Sequence, residues 1–344
     1  MSRSEATGES TQFRQLLTLA REMSFAQGAR LVRQGEASRG AFLIRAGKLD
    51  AHVALPGGGT LTVAQFAPGD IFGEMSLIER GVVSATVIAQ SSVKAYFVNR
   101  DDFRAMVASR DAEALEMQRT ITKTLADKLR VLNDRVAAHK AAEDRPAVEP
   151  APSADPLARL PRSRPISFDW RAYLPILPFF EGFDEQEIEE LIEGAQAIEL
   201  PRGEWVFAAG LPAEACFLVV RGAIEVFARA NGLDRRIAIA GPGELVGFMG
   251  VLRGALHAGN ARVREACCLL EISKEKFLQI HGGNSGTSVS LHHAIHRSLM
   301  RSITRTNTQL TRLISHARLH EAGSKATELE AALHGQIWRQ EAPN

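Results

Sequence analysis

The sequence is short of cysteine, of long apolar runs and of net charge, and each shortage excludes a class of protein. Its 344 residues include 3 cysteines, too few for a disulfide framework or a four-cysteine metal cluster. No stretch approaches the roughly 18 to 20 apolar residues of a membrane span, and the N-terminal MSRSEATGES lacks the apolar core of a signal peptide. The net charge of +1 gives no overall attraction to nucleic acid or membranes. We therefore expect a cytoplasmic protein of two or more globular domains.

What the sequence does contain is an internal repeat marked by glycine. Four positions recur at the same spacings of 7, 7 and 5 residues: Gly28, Gly35, Phe42 and Gly47 match Gly203, Gly210, Phe217 and Gly222. Three later positions recur at a constant offset of 174 residues: Gly69, Gly73 and Phe103 match Gly243, Gly247 and Phe277. This many matched glycines indicate a tandem duplication, with glycine held where the backbone needs a positive φ or a close approach.

Each copy is a series of short β-rich runs that are separated by glycine turns and followed by a helix. The runs AFLIRAG and CFLVVRG, for example, carry the β-branched and aromatic residues of strands. The pattern predicts an α+β fold of two antiparallel β-rolls of the jelly-roll type, each followed by a long α-helix. The expected units are an N-terminal helical lead-in (1–21), a first domain (22–140), a proline-rich linker (141–166), a second domain (167–322) and a C-terminal tail (323–344).

Both long helices carry an apolar seam. The first seam has spacings of 4, 3 and 4 and the second has spacings of 4 throughout: Leu125, Leu129, Leu132 and Val136, then Leu291, Ile295, Leu299 and Ile303. A seam of this kind docks a helix onto its own domain or pairs it with another chain. The spacing alone leaves both interpretations open.

The glycine spacings, the segment GDIFGEMSL at 69–77 and a roll followed by a long helix resemble the cyclic nucleotide-binding domain. That family includes bacterial regulators of the CRP/FNR type and the regulatory subunit of protein kinase A. The resemblance covers roughly residues 22–138 and 172–320 and implies a pocket for a cyclic nucleotide. In such a pocket Gly73 lets the backbone approach the ligand, and the N–H groups of 74–77, Met75 included, face the cyclic phosphate. Glu74 would accept from the ribose 2′-hydroxyl, and Ser84 and Ala85 would add a hydroxyl and an N–H.

The first copy departs from the family at the cation that grips the phosphate. The arginine that precedes Ser84 in the family is Val83 here. Losing a desolvated charge-assisted contact costs roughly 2 to 5 kcal/mol, so affinity would fall by roughly 30- to 5000-fold. We therefore expect weak binding of cAMP or cGMP, or a different ligand, with Arg80 as an alternative cation. Leu132 and Asn133 stand where the family often places hydroxyl residues against the purine.

The second copy departs further. The acidic position is Phe248, the arginine position is His257, and Ala258 replaces the hydroxyl. Phenylalanine cannot accept from a ribose, and histidine, which is only partly protonated near pH 7, supplies at most about half a positive charge there. The prediction is an apolar roll without a ligand, and an anion or a haem held by His257 is the alternative.

The output of the protein is less defined by its sequence. No winged helix-turn-helix follows the second helix, and no nucleophile, base or metal constellation has a usable spacing. We predict a non-catalytic regulator that acts on a protein partner, or as a homodimer, through its long helices. Two alternatives stay open: a transcriptional regulator of the CRP/FNR type that binds cAMP, and DNA through Arg297, Arg301 and Arg305, or an interaction scaffold without a ligand.

Two further motifs have a functional and a structural interpretation. The spacing of His292, His293 and His296 can hold zinc on a helix, but no carboxylate or cysteine nearby completes the set, and no metal is predicted. Cys267 and Cys268 lie in the apolar run ACCLLEI, which indicates strand-core residues rather than redox sensors.

Overall fold

The computed structural model describes residues 20–54, 58–78, 80–142, 169–230 and 233–337. The predicted lead-in and linker therefore lie almost wholly outside the described residues. Within those ranges the molecule consists of two β-rolls and two long helices, as the repeat predicted. No helix of these segments is long and apolar enough to cross a membrane.

The first roll has eight strands in two antiparallel sheets, with the orders β1-β8-β3-β6 and β2-β7-β4-β5. The strands are β1 (Arg21–Phe25), β2 (Arg30–Val32), β3 (Gly40–Ala46), β4 (Leu49–Ala54), β5 (Thr60–Phe66), β6 (Ile71–Phe72), β7 (Thr86–Ala89) and β8 (Val93–Asn99). Three helices belong to it: α1 (Met75–Ile78), α2 (Arg100–Ala108) and the long α3 (Ala112–Ala142). Phe42 and Phe72 stack in the core between the sheets with ring centroids 4.9 Å apart.

The second roll begins with two 3₁₀ turns (Arg171–Ile176 and Pro178–Phe180) and helix α4 (Glu185–Ile192). Asp184 caps α4 through a capping box with Glu187. The strands are β9 (Gln196–Leu200), β10 (Trp205–Phe207), β11 (Ala215–Ala230), β12 (Leu233–Ala240), β13 (Leu245–Val246) and β14 (Gly259–Ser273). The remaining helices are α5 (Phe248–Arg253), α6 (Lys274–Gly282) and the long α7 (Gly286–Ile337).

Glycine sets the matching bends of the two rolls. Five matched pairs all have positive φ: Gly28 and Gly203, Gly35 and Gly210, Gly47 and Gly222, Gly69 and Gly243, and Gly73 and Gly247. A Cβ on Gly47 would lie 2.4 Å from the Ser92 carbonyl oxygen, and one on Gly222 would lie 2.4 Å from that of Ala266. Both distances are far inside van der Waals contact, so only glycine fits these close approaches.

The two long helices pack against each other between the rolls. The seam residues of both helices are buried by this contact and by the rolls: Leu125, Leu129, Leu132 and Val136 on α3, and Leu291, Ile295, Leu299 and Ile303 on α7. The seams therefore pair within one chain, across the two domains, which neither open interpretation of the sequence had specified. Helix α7 also continues through the boundary predicted at residue 322 as far as Ile337.

Buried histidines join α6, α7 and α3. His292 Nε2 lies 2.9 Å from the carbonyl oxygen of His281, and His296 Nε2 lies 2.7 Å from Thr122 Oγ1 on α3. His292 Nδ1 shares the same hydroxyl at 3.3 Å. Thus His292 and His296, two of the three histidines whose spacing can hold zinc, instead contact a backbone carbonyl and a threonine hydroxyl. Across the described ranges no group of three His, Cys, Asp or Glu side chains is arranged to hold a metal ion.

Burial keeps these imidazoles neutral. It lowers the pKa of His281 from 6.5 to about 4 and that of His292 from 6.5 to about 3, and it lowers the pKa of His296 well below 6.5. Cys267 and Cys268 are buried in β14, and burial raises the pKa of each thiol to about 11. These cysteines are strand-core residues, as predicted, and their thiols stay protonated at neutral pH.

The histidine junction predicts an acid-sensitive stability. Below pH 6.5 these histidines bind protons in the unfolded chain but remain neutral in the folded chain. The stability that is present above pH 6.5 is therefore lost as the pH falls toward the folded-state pKa values of about 4 for His281 and about 3 for His292. Replacing His281 by Phe removes one of these protons. Urea unfolding between pH 6.5 and about 5 should then show a slope smaller by up to about 1.4 kcal/mol per pH unit.

A matched control changes the packing beside His281 without removing a titrating group. Phe277 is fully buried with its ring 5.9 Å from the imidazole of His281. Phe277→Leu should lower stability at every pH and leave the slope unchanged. An unaltered slope in His281→Phe would contradict the assignment.

Candidate functional site

The first cavity is enclosed by the first roll, α1 and the two long helices, and has a volume of about 630 Å³. This volume falls in the range of small-molecule sites, which is roughly 300 to 1,000 Å³. All five predicted ligand-binding residues line it: Gly73, Glu74, Met75, Ser84 and Ala85. The structure therefore brings together the residues that the resemblance assigned to a nucleotide pocket.

Gly73, just before helix α1, has the positive φ and the close backbone approach that the glycine repeat predicted. Gly73 has φ +77, and a Cβ there would lie 2.8 Å from the carbonyl oxygen of Gly40. Ser76 N–H donates to Gly73 O at 2.9 Å and Leu77 N–H donates to Glu74 O at 3.2 Å, so part of the predicted row of N–H donors already serves the turn of α1. The free donors for a ligand are fewer than the motif alone indicates.

Glu74 has a partner that sequence reasoning missed. Its side chain is 1% exposed, and Lys128 Nζ of α3 donates to Glu74 Oε1 at 2.6 Å. The second oxygen, Oε2, is buried and accepts no hydrogen bond from any described group. A buried carboxylate oxygen without a donor is costly, and here it belongs to a residue that lines the cavity.

Arg80 does not take the place of the phosphate-binding arginine that is Val83 in this sequence. Val83 lines the cavity and pairs through its backbone with Gly35 and Glu36, at 2.9 and 2.8 Å. Arg80 is exposed and does not line the cavity. The cations that do line it come from α3: Lys128, held by Glu74, and Arg135, whose Nη1 donates to Val63 O at 3.2 Å. The heptad pattern of α3 could have placed these two residues beside the roll, but not their partners.

The second roll contains a cavity of about 530 Å³ at the equivalent place. The predicted degenerate positions Phe248 and His257 both line it, and Phe248 is 6% exposed. The His257 ring stacks on Phe207 with centroids 4.0 Å apart and planes 10° apart. Burial lowers the pKa of His257 to about 4, so the ring is neutral at pH 7. Neither residue can perform the role of its counterpart in the family.

The two helices close both cavities in matching positions. Among the lining residues from the helix of each cavity's own domain, five match at an offset of 174: Thr124, Lys128, Val131, Leu132 and Arg135 in the first, and Ser298, Ser302, Arg305, Thr306 and Gln309 in the second. Among those from the other helix, three match at the same offset: Met300, Ile303 and Asn307 in the first, and Ala126, Leu129 and Asn133 in the second. The two helices and two cavities of one chain thus have an approximately twofold-symmetric arrangement. Leu132 lines the first cavity, whereas the adjacent Asn133 lines the second.

The arginine row of α7 is largely engaged within the molecule. Arg297 donates to Glu181 O at 2.6 Å, and Arg305 Nη1 lies 2.7 Å from Glu244 Oε1. Arg301 donates to the carbonyl oxygen of Arg297 at 3.3 Å and is exposed. These contacts use donors that the DNA-binding alternative needs for phosphates, and they give that alternative no support.

Comparisons with known proteins agree with the repeat. The family model of the cyclic nucleotide-binding domain matches residues 22–110 and 197–284, more than half of the chain. The Cyclic AMP receptor protein of Thermus thermophilus is 31% identical over 104 residues, which are 30% of this chain and 48% of that protein. Potassium channel AKT1 of Oryza sativa subsp. indica is 27% identical over 158 residues, which are 45% of this chain and 17% of the channel. The chain thus spans less than half the length of these relatives.

Among solved structures, the similarity is found at low sequence identity. The regulatory subunit of a cAMP-independent protein kinase A from Trypanosoma brucei is 15% identical with a TM-score of 0.32, and the alignment covers 90% of this chain and 86% of that one. The chain belongs to the cyclic nucleotide-binding domain family, with one domain in each copy of its repeat.

Proposed function

We propose that the protein is a non-catalytic regulator whose first cavity binds a ribose-bearing ligand and reports its presence through the long helices to a protein partner. The observation that carries the proposal is Glu74. Its Oε2 atom is buried in the cavity wall without a donor, at the position where the family accepts a ribose hydroxyl. A ligand hydroxyl would supply the missing hydrogen bond.

The charge of the cavity argues for weak binding of cyclic phosphates. Val83 offers no positive charge to a phosphate, and Lys128 already donates to Glu74 at 2.6 Å. A cyclic nucleotide would therefore place its phosphate against backbone N–H groups, with no guanidinium at position 83 to complete the contact. A nucleotide bound in an altered mode, or a nucleoside, fits this cavity better than tightly held cAMP.

Helix α3 links the two cavities through consecutive residues. Lys128 contacts Glu74 beside the first cavity, and Asp127 forms a salt bridge with Arg253 of α5 beside the second. A ligand that binds Glu74 Oε2 shares the carboxylate with Lys128, which holds Oε1, and any shift of Lys128 and α3 that follows also acts on Arg253. This contact pair is the physical route by which we propose that occupancy reaches the helix pair and the partner.

The first prediction concerns a variant that restores the family's phosphate-binding arginine at position 83. In Val83→Arg the new guanidinium would meet the phosphate, so cAMP affinity should rise by roughly 30- to 5000-fold over the wild type. Isothermal titration calorimetry with cAMP measures the change. Arg80→Ala is the matched control and should leave affinity unchanged, because Arg80 lies outside the cavity wall.

Two outcomes would contradict this account. Tight cAMP binding by the wild type would show that another group holds the phosphate. Failure of both the wild type and Val83→Arg to be stabilised by any cyclic nucleotide or nucleoside would favour the scaffold without a ligand.

The second prediction assigns the hydroxyl contact to Glu74. In the Val83→Arg background, cAMP should bind about 10- to 100-fold more tightly than 2′-deoxy-cAMP, since a hydrogen bond to a charged group is worth roughly 1.5 to 3 kcal/mol. Adding Glu74→Gln, which keeps the shape but removes the charge, should reduce this preference to a few-fold. Calorimetry with the two ligands gives both ratios. An unchanged preference in the double variant would place the ribose elsewhere in the cavity.

A further inference from the structure

The second cavity is walled by apolar and aromatic side chains. Five large apolar residues line it: Phe207, Phe227, Leu245, Phe248 and Met249. Alanines of β12 and of the segment that precedes β14 line it as well. The acid of the first cavity, Glu74, is replaced here by a phenylalanine, and Lys128 by Ser302. The ion pair of Glu74 and Lys128 in the first cavity thus has uncharged counterparts in the second.

The cations beside the second cavity are engaged within the protein. Arg236 Nη1 lies 2.6 Å from Glu225 Oε1, and Arg305 Nη1 lies 2.7 Å from Glu244 Oε1. Arg253 forms a salt bridge with Asp127, and Lys140 Nζ donates to the carbonyl oxygen of Arg236 at 2.6 Å. Arg130, which also lines the cavity, has its Nη1 3.9 Å from Oδ2 of Asp134. An anionic ligand would have to break one of these contacts, whereas an uncharged ligand breaks none.

The mouth of the cavity carries apolar side chains that face solvent. Leu256 is 56% exposed and Ile239 is 40% exposed, and both line the cavity. Large exposed apolar residues at the rim of a concave site are the surface that a bound apolar molecule covers. Helix α7 adds the hydroxyl groups of Ser298, Ser302 and Thr306 on one wall. These few polar groups would orient a ligand without requiring it to be charged.

From these observations we propose that the second cavity binds an uncharged, largely apolar small molecule. Its volume of about 530 Å³ is sufficient for such a ligand. His257 supports the proposal by its geometry, since its ring stacks on Phe207 as part of the aromatic wall. The proposal does not rest on the identity of the ligand of the first cavity. It replaces the expectation, from Phe248 and His257 alone, of a second roll that binds nothing.

The test uses two dyes with the same aromatic skeleton and different charge. N-phenyl-1-naphthylamine is uncharged, and 1-anilinonaphthalene-8-sulfonate carries a sulfonate on that skeleton. Titrated into the purified full chain, the uncharged dye should give a saturable rise in fluorescence. The sulfonated dye should bind about tenfold more weakly or worse, because its charge would be buried without a free cation.

Matched variants assign the dye to one cavity. Ala238 on β12 lines the second cavity, and Ala64 lines the first at the equivalent position, 174 residues earlier. Ala238→Trp fills the second cavity and should lower the affinity for the uncharged dye about tenfold or more, whereas Ala64→Trp should leave it unchanged. Circular dichroism and the melting temperature check that each variant is folded.

A variant that changes charge rather than volume keeps the test decisive if Ala238→Trp does not fold. His257→Arg places a cation in the wall and should reverse the preference between the two dyes. Three results would overturn the proposal: equal binding of the two dyes by the wild type, loss of binding in Ala64→Trp instead of Ala238→Trp, or no saturable binding of the uncharged dye.

Discussion

The contact between α3 and α7 is the constraint on which the rest of the structure depends. It buries both apolar seams, fixes the two rolls relative to each other, and supplies walls to both cavities from both helices. Because each helix lines the cavity of the other domain, neither cavity is complete within a single copy of the repeat. The duplication has thus built in one chain an arrangement that otherwise requires two, and the two copies are free to change separately.

The two cavities share a frame and have diverged in chemistry. Both keep the left-handed glycine of the cradle, Gly73 and Gly247, and the same register of helix residues at the wall. The first retains a buried carboxylate with one unsatisfied oxygen, which suits a hydroxyl. The second has exchanged that carboxylate for Phe248 and stacks His257 on Phe207. The exchange to Phe248 removes the acceptor for a ribose hydroxyl, the absence of the family's arginine from both cavities removes an attraction for a phosphate, and the changes in the second cavity add apolar surface.

Much of the fold could be predicted from the sequence because glycine at positive φ leaves a spacing that survives duplication. The strands followed from local patterns, and the five residues that were predicted to bind a ligand, all of which line the first cavity, followed from the family resemblance. The Lys128 contact could not be predicted, because it joins residues 54 apart through the packing of α3 on the roll. Pairing of the seams within the chain and the volume of the second cavity likewise depend on how the domains meet. The presence of histidine at position 257, for example, does not show whether the folded protein has a cavity beside that side chain.

The measurement that tests this account most directly is a cysteine cross-link between the long helices. Thr306 Oγ1 lies 3.5 Å from Asn133 Oδ1, so the pair Asn133→Cys and Thr306→Cys should form a disulfide within one chain on mild oxidation. Gel electrophoresis under non-reducing conditions should show a monomer of altered mobility, and the pair Asn133→Cys and Thr308→Cys, with Thr308 exposed, should not cross-link. A covalent dimer in place of the cross-linked monomer would show that the helices pair between chains and would contradict the account.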